Sequence, residues 1–97
     1  MESIVVERVQ TGVRMEKHIL KVLKALAEYY EITLGDLLEG IVLHAFEGKG
    51  AFGKEALQRI GGLKKIYGMK LDATASHRLT EARTKQKKRA AGKRAEQ

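Results

Sequence analysis

Between Val9 and Phe46 the spacing of the apolar residues changes twice, and those changes leave few folds open. Val9, Thr11, Val13 and Met15 alternate with Gln10, Gly12, Arg14 and Glu16, the period of two that belongs to a half-buried strand. From Lys17 to about Glu31 the period becomes helical. Ile19, Val22, Leu23, Leu26, Tyr29 and Tyr30 share one stripe, with Lys17, Lys21, Lys24 and Glu28 opposite. Ile32-Thr33-Leu34-Gly35 interrupts. Leu37, Leu38, Ile41, Val42, Ala45 and Phe46 then form a second apolar face between Asp36 and Glu47. The pattern predicts strand, helix, turn, helix.

Thr33 and Gly48 bound the second helix. A threonine hydroxyl at the N-cap accepts a bond from a first-turn N–H, and Asp36 three residues later stands near the positive end of the dipole. Gly48 follows the last periodic residue, where a left-handed C-cap favours glycine.

Size decides what must hold such a unit together. The chain has 97 residues and a mass of 10.8 kDa, enough for one domain or a small domain with a tail. The strand-helix-helix unit alone is too short to bury a self-sufficient core, and such units rely on disulfides, metals or oligomerisation. There is no cysteine, which removes disulfides and thiolate metal sites. Oligomerisation is what remains, and an intertwined dimer would supply it, with folding and dimerisation as one event. No apolar run reaches the length of a membrane span, and MESIVVERVQ lacks the design of a signal peptide. The expected location is cytoplasmic and nucleoid-associated, without a membrane partner.

The stretch from Val9 to Glu47 resembles the ribbon-helix-helix (Arc/MetJ-type) DNA-binding family in its short alternating strand, its immediate amphipathic helix containing LAEYYEIT, and its capped second helix. The resemblance implies a mainly α fold. It would be a ribbon-helix-helix dimer, with one short N-terminal strand pairing with the second chain, two core helices and a C-terminal helical extension. It also implies that the two-stranded antiparallel ribbon lies in the DNA major groove and reads bases with its outward side chains. Carried over by register, those positions are Gln10, Gly12 and Arg14, with Val9, Thr11, Val13 and Met15 turned towards the helices.

The chemistry of these residues suits that role. Arginine bonds bidentately to guanine O6 and N7, and glutamine to adenine N6 and N7, patterns that only the major groove displays unambiguously. Gly12 departs from the family pattern because it brings no side chain to the centre of the reading face. The resemblance also places a phosphate at the start of the second helix. Thr33, Leu34 and Gly35 match that place, where N–H groups and the dipole favour an anion. Arg8 continues the outward alternation and is a candidate for a flanking phosphate, or simply a solvated arm residue.

A helix-turn-helix is the competing arrangement of the two helices. It would put Leu34, Gly35, Asp36 and Leu37 at the base edges, and these read bases badly and repel phosphate at Asp36. The ribbon reading is preferred.

The chain divides into a dimerisation and DNA-binding module (1–48), a linker with a helical extension (49–82) and a basic tail (83–97). GKGAFGK at 48–54 has three glycines and no helical period. Lys54 to Tyr67 has a broad apolar face of Ala56, Leu57, Ile60, Leu63, Ile66 and Tyr67. Gly61-Gly62 in its middle predicts a kink or a split. This face is expected on the helical shell of the dimer, or on another protein. Asp72, Thr74 and Ser76 offer caps for a further helix, which is expected to fray into a disordered tail.

Charge separates the two halves. Residues 1–48 hold five Lys or Arg against eight Asp or Glu, whereas residues 49–97 hold fourteen against four. Arg83, Lys85, Lys87, Lys88, Arg89, Lys93 and Arg94 form an acid-free block. Such arms raise affinity for nucleic acid by counterion release, in a salt-sensitive way. A solubilising tail or contact with an acidic protein is the plainer alternative.

Catalysis has little to stand on. His18, His44 and His77 are scattered, no carboxylate or second histidine stands at ligand spacing, and the glycines fit no phosphate loop. No enzyme, metal or cofactor is expected. The sequence predicts a DNA-binding transcriptional regulator of repressor type, homodimeric and with a tetramer on DNA as an option. Two alternatives stand beside it. One is an antitoxin-like protein whose C-terminal half binds a protein. The other is a non-specific nucleoid or RNA-associated protein.

Overall fold

The computed structural model describes residues 2–82, and the basic tail from Arg83 to Arg94 lies outside the described residues. The described residues form three α-helices and one short 3-10 turn: α1 (Lys17–Tyr30), α2 (Leu34–Phe46), α3 (Lys54–Tyr67) and the turn Ala73–Ala75. The fold is mainly helical.

Side chains acting on nearby backbone set the helix starts. The Glu16 carboxylate accepts from the Ile19 N–H at 2.8 Å and caps α1. Thr33 Oγ1 accepts from the Asp36 N–H at 3.0 Å and caps α2, the cap expected from the sequence, so the helix starts at Leu34, ahead of its apolar face. Each helix then closes with the paired backbone bonds of a Schellman motif. At the end of α2, Lys49 N–H reaches His44 O at 2.9 Å across Gly48, whose φ is 72°. At the end of α1, Ile32 N–H reaches Ala27 O at 3.0 Å, but there the left-handed residue is Glu31 (φ 59°).

α2 and α3 both pack on α1. Leu26 is only 1% exposed and joins Ala27 and Leu37 in the centre, with Leu23, Ile41, Phe52, Ile60 and Leu63 packed around them. Phe52 comes from the glycine-rich stretch expected to be a linker. One bulky apolar residue there ties the connection to the core. α3 runs without a break through Gly61 and Gly62, so the expected split does not occur. Each glycine costs about 1 kcal/mol relative to alanine, and Ile60 and Leu63 on either side offset this by packing on the α1 cluster. The expected further helix after Asp72 is reduced to the turn Ala73–Ala75, capped by Asp72 Oδ1 on the Thr74 N–H at 3.0 Å.

The segment before α1 makes no strand with any other described residue. Residues 2–15 are exposed throughout, with Val9 at 81% and Val13 at 74%. The expectation that the apolar set of this arm faces the helices is therefore not met within one chain. An alternating segment buries its apolar face only when a ladder of hydrogen bonds holds it flat. The Cα radius of gyration is 16.3 Å, against about 12 Å for a compact chain of this size.

Candidate nucleic-acid interface

The candidate site has two parts, the arm and the α1–α2 turn, and α1 fixes both. The capped start of α1 at Glu16 sets where the arm departs. The closure at Glu31 and Ile32 turns the chain so that Thr33 can cap α2. Helix geometry leaves the amides of Leu34 and Gly35 without an intrahelical acceptor, and Thr33 and Gly35 are exposed around them.

Arg8 lies against α2. Its guanidinium donates to both oxygens of Glu39, at 2.8 Å from Nε and 2.7 Å from Nη2. This bidentate bond holds the Glu39 carboxyl below its ordinary range and the Arg8 guanidinium above its own, with Asp36 adding a smaller attraction for Arg8. Arg8 and the Thr33–Gly35 turn, the proposed phosphate contacts, thus share the N-terminal half of α2. Two carboxylates, Asp36 and Glu39, stand in the same place.

Arg14 is held elsewhere. Its guanidinium is bound by both oxygens of Glu81, with Nε to Oε1 at 3.2 Å and an ion pair from Nη2 to Oε2. Residues 14–17 and 79–82 line one open groove. Gln10 and Gly12 are exposed on the arm between the two arginines, and nothing lies within 4 Å of where a Cβ on Gly12 would be. The base-reading candidates are therefore on one arm, but its arginines are fastened to opposite parts of the chain.

Periodicity could not reveal Glu16, Glu39 and Glu81. Glu16 is outside the usual capping residues, although its position three before Ile19 is a signal in retrospect. Its carboxyl is held below the ordinary range by the hydrogen bond with the His18 ring and by the Ile19 N–H. His18 Nδ1 lies 2.8 Å from Glu16 and His44 Nδ1 lies 2.7 Å from Gly40 O, so both rings serve local structure. Among the described residues no group of three or more His, Cys, Asp or Glu is placed to hold a metal, and no helix is long and apolar enough to cross a membrane.

Comparison with protein-family models, curated proteins and solved structures finds no match to this chain.

Proposed function

We propose that the protein is a homodimeric, sequence-specific DNA-binding regulator of ribbon-helix-helix type, acting as a repressor. The observation that carries this reading is the arm. Its apolar register positions Val9 and Val13 are exposed in one chain, while Gln10 and Arg14 occupy the alternate register. Pairing with the arm of a second copy would give those valines a ladder and a shared face. It would also present two sets of Gln10, Gly12 and Arg14 as a ribbon narrow enough for the major groove.

α2 supports the same arrangement. LGDLLEGIVLHAF is apolar on most of its circumference, and Val42, Leu43 and Phe46 are exposed, Phe46 at 82%. A helix apolar on most sides is one that is covered on most sides. In the dimer, Arg14 and Gln10 contact bases, the Thr33–Gly35 amides and Arg8 hold phosphates, and residues 83–97 add salt-sensitive affinity.

The test is Arg14→Ala. Affinity for the preferred duplex should fall by about 1–3 kcal/mol, with selection relaxed at the base pair that Arg14 reads. Unchanged affinity and selectivity would mean that the register or the fold assignment is wrong.

One observation favours a second reading, a protein partner for the C-terminal half. Leu57 and Ile66 on α3 are exposed, Ile66 at 74%. Protection of residues 49–97 from protease by a bound protein, and not by DNA, would support it.

A further inference from the structure

The Arg14 contact has a meaning that depends on the reading above. A guanine offers O6 and N7 side by side, and arginine meets them with two parallel N–H groups. Glu81 offers two carboxylate oxygens in the same fork and already holds Nε and Nη2 of Arg14. The same guanidinium edge cannot serve both. The contact does not rest on one side chain alone, because residues 79–82 run along residues 14–17 and enclose a groove with them. The acid-free basic block follows these residues directly in sequence.

We propose that Glu81 is an intramolecular competitor for DNA, a carboxylate that occupies the base-reading edge of Arg14 and must be displaced when the arm enters the groove. Both members of the pair are well exposed, 76% for Arg14 and 58% for Glu81. Displacement is therefore cheap, and the device sets a threshold without blocking binding. Exposed ion pairs are weak because water and salt screen them. Releasing Arg14 in Glu81→Gln should accordingly tighten binding roughly two- to five-fold, the span of an exposed pair. The gain should shrink as salt rises.

The experiment uses the full-length chain and a fluorescein-labelled duplex enriched by it from a randomised pool. Glu81→Gln removes one negative charge, so Glu55→Gln, an exposed acid at the start of α3, serves as the charge control. The proposal expects Glu81→Gln to gain more affinity than Glu55→Gln. It expects that excess to vanish when both are placed on Arg14→Ala. It also expects the side-chain Nε–H resonance of Arg14 to move in DNA-free Glu81→Gln and to stay in Glu55→Gln. Equal gains for the two variants, or an excess that survives Arg14→Ala, overturn the competitor while leaving the ribbon reading intact. Failure to enrich any duplex, or an Arg14→Ala that binds as the parent does, overturns the ribbon reading and the competitor with it.

Discussion

At Glu31 the backbone adopts φ 59°, a left-handed conformation that crowds a Cβ and costs an ordinary residue about 1–2 kcal/mol. The closure of α1 needs this geometry, since Ile32 N–H reaches Ala27 O only across it. Glu31→Gly should therefore raise stability by about 0.5–1 kcal/mol in urea unfolding, the relief less the added freedom of the unfolded chain. At Thr33 the opposite holds. Thr33→Ala removes the acceptor for the Asp36 N–H and should cost about 1 kcal/mol. Acid should act through Glu16, Glu39 and Asp72, whose carboxyls all sit below their ordinary range because hydrogen bonds favour the charged form. A depressed folded pKa contributes stability that is present above the unfolded value, about 4 for carboxyls, and lost as pH falls through the folded value. The melting temperature should hold at neutral pH and fall below about pH 4. A melting temperature unchanged down to pH 2 would contradict this. Thr33 was legible in the sequence because its side chain serves its own neighbourhood. Glu39 and Glu81 were not, because their arginines lie 31 and 67 positions away.

The helices themselves follow from period and punctuation, and so their bounds were legible to within about two residues. What periodicity cannot give is which apolar face meets which. Phe52 reads as part of a glycine-rich connection, yet it packs on the centre of α1. Gly61-Gly62 reads as a break, yet the surrounding contacts carry α3 through it. Because nothing lies within 4 Å of a Cβ at Gly62, Gly62→Ala should stabilise α3 by about 1 kcal/mol. A loss of stability would show that another surface approaches that glycine in the assembled protein. Leu26 is the most enclosed side chain. Leu26→Ala should cost about 2–5 kcal/mol, which this small core would barely survive.

At the scale of the molecule the fold is open where a second copy would close it. Val22, Leu26, Ala27 and Leu37 are the buried apolar residues among those described, whereas the arm valines and the outer residues of α2 stand exposed. On the proposed dimeric reading a core of that size depends on association for its stability, and the melting temperature should rise with protein concentration. A concentration-independent transition with a monomer mass in solution would count against the dimer. Removing residues 83–97 takes away the basic block and should weaken all duplexes alike, with a flatter dependence on salt. The ribbon reading is tested by selection from a randomised duplex pool at physiological salt, run in parallel with the parent chain and Arg14→Ala. The parent should yield a short inverted or tandem repeat, lost or degenerate at a G·C pair in the variant. No enrichment over background from the parent, with binding that depends only on salt, would contradict that reading.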